Sequence, residues 1–250
     1  MAGRAARKKL HKVIGVDLGG SKLLGGAIDE HLEVHSRVHR PVVGLPQAEV
    51  IETTIDAVNE LRELVPDVEA VGFGIPCLID QRTGVAVMAV NLDIQDFPFR
   101  DVMTERLGIP VFIDNDANVT TLVEQRFGAA KDAVDVVGLT IGTGIGGGLV
   151  LGGQLYRGHT GGGAELGHMV VDEDGPPCQG NCPNHGCLEA VASGTALVRE
   201  ARSLAPERPR SFSPGRRSAP SRRMLFALVS RLPPLSSADR VESETFWDWM

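Results

Sequence analysis

The sequence predicts an α/β fold, because short apolar runs ending in glycine turns alternate with stretches of helical period. Residues 13–17 form the first such run, closed by Asp17 and a Gly-Gly pair, and read as a strand. Residues 23–28 resume the apolar pattern and complete a hairpin, and residues 31–38 give a third strand. Over residues 47–65, Ala48, Ile51, Ile55, Val58, Leu61 and Val65 recur at intervals of three and four, as one face of a helix requires, until Pro66-Asp67 stops it. Residues 70–75 read as a buried strand and residues 111–113 as another, ending in Asp114-Asn115-Asp116, with a helix over 117–127. Residues 134–141 form a strand that feeds a glycine run, Gly142 to Gly148, and residues 149–151 pair back.

The composition is that of a soluble globular protein, with 42% hydrophobic and 23% charged residues. Glycine is in excess, at 30 of 250 residues, and it is concentrated in a few short runs, so it marks glycine loops rather than low complexity. A net charge of −7 argues against a general nucleic-acid binder. No apolar run approaches the ~18–20 residues of a membrane helix. The basic start (Arg4, Arg7, Lys8, Lys9, Lys12) lacks the apolar core of a secretory signal, so a cytoplasmic protein is expected. Three of the four cysteines, Cys178, Cys182 and Cys187, fall within ten residues, which in a reducing compartment favours metal over disulfides.

Two glycine turns follow strands. In Asp17-Leu18-Gly19-Gly20-Ser21-Lys22, main-chain amides can approach phosphate oxygens because no Cβ intervenes. Ser21 adds a hydroxyl, Lys22 a charge, and Asp17 a candidate ligand for Mg2+. A tight hairpin could require the same two glycines for geometry alone. The second turn, Thr140-Ile141-Gly142-Thr143-Gly144, has the same context about 120 residues later, which suggests a duplicated phosphate clamp on two sides of a cleft. Neither turn ends in the Gly-Lys-Ser/Thr of a Walker loop, and neither opens a helix as a dinucleotide fingerprint does.

These turns resemble the actin/hexokinase/heat-shock-protein superfamily. With Gly74-Ile75-Pro76, Asn115-Asp116-Ala117-Asn118, Glu165-Leu166-Gly167-His168 and Gly186-Cys187-Leu188-Glu189, they resemble its ROK (repressor, open reading frame, kinase) branch in order and spacing, from about residue 13 to 200. The resemblance implies an actin-like, hexokinase-type (ribonuclease H-like) two-lobed fold. The expected divisions are an N-terminal lobe over 13–117, a partial C-terminal lobe with a zinc loop over 118–202, and a non-homologous, disordered tail over 203–250. It implies an ATP-dependent sugar kinase, most like a glucokinase, using ATP and Mg2+, homodimeric when folded. Asp116 takes the role of general base on the sugar hydroxyl, and Asn91, Asn115, Asp116, Glu165, His168 and Glu189 contact the hexose. Asp17, Gly19, Gly20, Ser21 and Lys22, with Thr140, Gly142, Thr143 and Gly144, hold the nucleotide phosphates. Where the family has glycine after Gly74-Ile75-Pro76, this chain has Cys77, which either crowds the sugar loop or packs as a small apolar group.

His168, Cys178, Cys182 and Cys187 supply one imidazole and three thiolates, the donor set of a closed, structural Zn2+ site. The common family spacing has Cys-x-Cys where this chain has Cys178-x-x-x-Cys182, with Gly180 and Pro176-Pro177 to shape the turn. Such a site would preorganise His168 and Glu189, and His185 reads as surface polar.

From residue 203 the character changes to six Pro, nine Ser and eight Arg without Lys, which looks like a shifted reading frame or a shortened copy. After Ala201 no match to the family's adenosine-binding strand and glycine turn is expected, so the second lobe is incomplete. Nucleotide affinity should fall with the lost contacts. Two alternatives remain: a catalytically dead sugar-binding protein, and a ROK-type transcriptional regulator. Only twelve residues precede Val13, so the regulators' helix-turn-helix is not expected. Enzymes that use polyphosphate resemble this family without the cysteine set, so ATP is the expected donor.

Overall fold

The computed structural model describes residues 11–89, 92–180 and 182–204. The described residues divide into two compact units: those up to Asp116 with 159–162, and 117–158 with those from Gly163 to Leu204.

Unit 1 begins with a meander of β1 (Lys12–Leu18), β2 (Lys22–Asp29) and β3 (Val34–Pro41), all antiparallel. Alternation along β1 buries Ile14, Val16 and Leu18 on one face. The third strand starts later than the sequence predicts. The buried Asp29 carboxylate accepts the amides of His31 (2.8 Å) and Glu33 (3.1 Å), holding 30–33 as a turn with Leu32 at φ 64°. Helix α1 (Gln47–Leu64) follows, burying Ile51, Ile55, Val58 and Leu61 of the predicted face together with Val50, while Ala48 is exposed and Val65 lies just past the helix end. Strand β4 (Val68–Ile75) then pairs parallel to β1.

Three short strands without a reading in the sequence come next: β5 (Cys77–Asp80), β6 (Val85–Ala89) and β7 (Gln95–Phe97), a separate antiparallel sheet. Helix α2 (Phe99–Leu107) buries Phe99, Met103 and Leu107 and ends on Gly108 at φ 65°, where a left-handed cap favours glycine. Arg106 of α2 forks onto Glu52 of α1 at 2.8 and 2.9 Å. Strand β8 (Val111–Asn115) joins β4 in parallel and closes the main sheet in the order β3-β2-β1-β4-β8. One apolar core runs through this unit, with Phe73 and Phe99 edge to face at 5.1 Å.

Unit 2 carries α3 (Asp116–Phe127), whose first residue clusters with unit 1, then β9 (Val136–Ile141), β10 (Ile145–Leu151) and β11 (Gln154–Tyr156) in an antiparallel sheet. Gly146, Gly147 and Gly148, read in the sequence as loop, lie inside β10. Their lack of side chains serves packing: a Cβ at Gly146 would come within 2.9 Å of the Ala117 methyl, and one at Gly148 would overlap the Thr121 hydroxyl of α3. A one-turn 3-10 segment (Leu166–His168), α4 (Leu188–Ala192) and α5 (Gly194–Leu204) complete the described part. Helix α5 takes in Ser203 and Leu204, so the compositional break at 203 falls inside an element; the rest of that stretch, 205–250, lies outside the described residues. Among the described residues no helix is long and apolar enough to cross a membrane.

Candidate active site and metal centre

In unit 1 the strands β1, β4 and β8 are mutually parallel, so their C-terminal ends share one edge of the sheet. The register pairs Asp17 with Gly74, Gly74 with Asp114, and Ile75 with Asn115. Three motifs far apart in sequence thus arrive side by side at the end of a parallel sheet, where open α/β folds bind their ligands. In the first glycine turn Gly19 donates its N–H to the Lys22 carbonyl at 2.9 Å, and the Ser21 carbonyl accepts from Val42 N–H at 3.1 Å. Asp17, Gly20 and Lys22 are half-buried, Gly19 is buried and Ser21 is exposed.

Asn115, the last residue of β8, donates its N–H to the Asp114 carboxylate at 2.8 Å and its side-chain amide to the Cys77 carbonyl at 3.4 Å. The Cys77 thiol is buried in the unit 1 core, where burial pushes it up to about 11, and it donates to the Leu78 carbonyl. Asp116 opens α3, an end where the helix dipole favours a negative charge. Asn91 lies outside the described residues.

In unit 2 the second glycine turn joins β9 to β10, with Ile141 paired to Ile145 and Gly142 N–H donating to the Gly144 carbonyl at 2.9 Å. Thr140 stands at the end of β9, its hydroxyl beside Gly146. A Cβ on Gly142 would have no atom within 4 Å, and its φ lies outside the left-handed region. Neither packing nor backbone strain asks for glycine there, which leaves a bare main chain open to a ligand. Gly144 differs: a Cβ would overlap the Glu189 carboxylate, which accepts the Ile145 N–H at 2.7 Å.

The segment bearing Glu165 and His168 lies on the same strand, since a Cβ at Gly167 would overlap the Ile145 carbonyl. Glu165 is exposed, its carboxylate 4.0 Å from His168 Nε2. The other ring nitrogen, Nδ1, is 3.4 Å from Cys178 Sγ. Cys182 Sγ and Cys187 Sγ are 3.9 Å apart, and all four donor atoms lie within 4.8 Å of one another. A tetrahedral Zn2+ with legs of about 2.3 Å to sulfur and 2.0 Å to nitrogen has S···S edges of about 3.8 Å and S···N edges of about 3.5 Å. The donor set and spacing fit that ion. Gly180 (φ 60°) and Gly186 (φ 61°) turn the loop that carries the thiols. Without a cation, burial and the adjacent Cys187 and Cys182 push the Cys178 thiol up to about 12, as expected where thiols share a small space. His185 is exposed, bridged to Pro177 and outside the ligand group.

Sequence reasoning missed the residues that tie these parts together. Gln179 Nε2 donates to the buried Ser193 hydroxyl at 3.1 Å, Gly194 N–H to the Gly142 carbonyl at 2.8 Å, and Thr195 Oγ1 to the Thr143 carbonyl at 2.8 Å. The only signal at Ser193-Gly194-Thr195 is that of a helix start, which says nothing of a distant turn.

The ROK family profile matches residues 13–222, so the likeness continues past the Ala201 limit expected from the motifs. The glucokinase of Streptomyces coelicolor is 37% identical over 198 residues, 78% of this chain and 61% of its own length. That of Thermotoga maritima is 42% identical over 190 residues, 75% of this chain and 59% of its own. A crystal structure of a ROK family glucokinase from Streptomyces griseus in complex with glucose and AMPPNP superimposes with TM-score 0.69 at 38% identity, covering 78% of this chain and 61% of that one. The xylose repressor of Bacillus subtilis is 31% identical over 196 residues, 77% of this chain and 50% of its own length. The chain therefore spans about three fifths of the length of the glucokinases it matches. With the profile covering most of its residues and the glycine turns, Asp116 and the Cys3His group in the described positions, the chain belongs to the ROK family.

Proposed function

We propose that this chain carries the phosphoryl-transfer machinery of an ATP-dependent hexose kinase and that glucose, phosphorylated at its 6-hydroxyl, is its acceptor. Asp116 takes the proton from the attacking hydroxyl and orients the oxygen toward the γ-phosphorus. Asn115, with its side chain fixed by the Cys77 carbonyl, and Glu165, His168 and Glu189 hold ring hydroxyls. Asn91 is assigned to the sugar by resemblance alone. The turns at Gly19–Lys22 and Thr140–Gly144 present main-chain amides to the phosphates. When bound, Mg2+ neutralises phosphate charge, and Asp17 is the hard oxygen ligand suited to it. The Cys3His group holds a structural Zn2+, because four protein donors leave no open position.

The observation that carries this reading is the row Asp17–Gly74–Asp114, which delivers the first glycine turn and the Asn115-Asp116 pair to one sheet end. The 37–42% identity to glucokinases supports it. A steady-state assay with glucose, Mg2+ and ATP, coupled to a glucose 6-phosphate dehydrogenase, tests it. Turnover that falls by about 10²–10⁴ in Asp116→Asn, with glucose binding retained, is the expected result. Glucose binding without turnover in the unaltered chain would sink the kinase assignment. It would favour the second reading, a sugar-binding or regulatory ROK protein, to which the repressor relatives point.

A further inference from the structure

The Cys3His group and the second glycine turn are joined within unit 2 by two chains of contacts. The first leaves Cys187 along α4: two residues on, the Glu189 carboxylate accepts the Ile145 N–H at 2.7 Å and fills the space that a side chain at Gly144 would need. The second leaves Cys178 through its neighbour Gln179, whose amide holds the Ser193 hydroxyl at 3.1 Å. Ser193 is 1% exposed and its hydroxyl also accepts the Ala196 N–H at 3.1 Å, so it fixes the start of α5. From that start Gly194 N–H reaches the Gly142 carbonyl and Thr195 Oγ1 the Thr143 carbonyl, each at 2.8 Å. Two carbonyls and one amide of the turn are thereby engaged by the segment that begins at a metal ligand.

Pinning those groups leaves the peptide planes of Thr143 and Gly144 little freedom. A main-chain anion cradle works only if its N–H groups are already aimed.

We infer that the metal knot acts as a positioning device for the second glycine turn, with Gln179 and Thr195 as the positioning residues that transmit its geometry. The consequence for triphosphate binding rests on the kinase reading; the coupling itself does not. With the metal bound, the turn is held open-faced for a polyphosphate anion. With the metal removed, the Cys187 and Cys178 arms slacken and the turn loses its aim.

The test is amide hydrogen exchange over residues 140–146 of the full chain, metal-loaded and after chelation, with metal content measured. Chelation is expected to speed exchange at this turn about tenfold. Thr195→Val and Gln179→Ala keep all four metal ligands, so loaded protein of either variant should still hold one metal ion while the turn exchanges faster. In kinetics both should raise the KM for MgATP about fivefold, the worth of one ordinary hydrogen bond, and leave the hexose KM and the metal content unchanged. Opening of residues 176–187 on chelation with no change at 140–146 would overturn the inference, as would a hexose KM that rises in step with that for MgATP. If the unaltered chain fails to bind MgATP or magnesium tripolyphosphate, the kinase reading fails, and the exchange measurement alone still decides the coupling.

Discussion

The two units are held together by different physics. Unit 1 packs α1 and α2 on a five-stranded sheet through one continuous apolar core that includes Phe73, Phe99, Leu61 and Met103. Among the described residues of unit 2, one buried apolar cluster joins Ala130, Val136 and Val150, with Ala133 and Leu155 against it, and the other buried apolar side chains are mostly small, such as Ala117, Ala164, Ala190 and Ala196. Helix α3 buries Ala117 with the polar Asn118, Thr121, Glu124 and Gln125, and approaches its sheet through Gly138, Gly146 and Gly148. With less apolar area, unit 2 relies on close backbone approach and, on the proposed reading, on a metal held by His168, Cys178, Cys182 and Cys187. Unit 1 should tolerate loss of any metal; unit 2 should not.

Metal removal gives the largest contrast. A structural Zn2+ supplies on the order of 10 kcal/mol to a small domain that depends on it. Calorimetry with a strong chelator should abolish or sharply lower one thermal transition and leave a second in place. A single transition that shifts as a whole would break the distinction between the units.

Next in size is Phe73→Ala, which empties a fully buried ring site against Phe99 and should cost about 3–5 kcal/mol. Urea titration should show this loss in the transition that chelation spares. Gly148→Ala should cost about 1–3 kcal/mol in the other transition, because the added methyl meets the Thr121 side chain and, at 2.9 Å, the Ala117 carbonyl.

The smallest effect is a pH dependence in unit 1. Burial alone would raise the Asp29 carboxyl, but the His35 side chain (2.8 Å) and the His31 and Glu33 amides outweigh it and hold it below the ordinary value. A carboxyl depressed on folding contributes its stability above the unfolded value, near ~3.9, and loses it as pH falls through the lower folded value. Asp29→Asn should therefore flatten the acid limb of unit 1 unfolding between those values. An unchanged limb would mean that the carboxyl ionises alike in both states.

Much of unit 1 was legible because its signals are local. Helix α1 followed from spacing alone, and β1, β4 and β8 from apolar runs next to glycine or acidic turns. The β5–β7 sheet was not, since its strands are three to five residues long and pair only with each other. The glycines of β10 misled for a tertiary reason: Gly146 and Gly148 are required by α3 and Gly147 by the Ala164–Leu166 segment, which the strand's own residues do not reveal. At the site, the motif residues were visible as a set, and the Cys3His group could be assembled from spacing. The tie from Gln179 through Ser193 to the second turn was not, because polar pairs at such separations leave no period and no composition.

Gly142 offers an unusual opportunity among these positions. Its φ lies outside the left-handed region and the space that a Cβ would enter is empty, so alanine there should keep the backbone bonds to Gly144 and Gly194 and leave folding untouched. Any defect that a Gly142→Ala protein shows can then be charged to crowding of whatever docks on that stretch of chain, with no correction for damage to the scaffold.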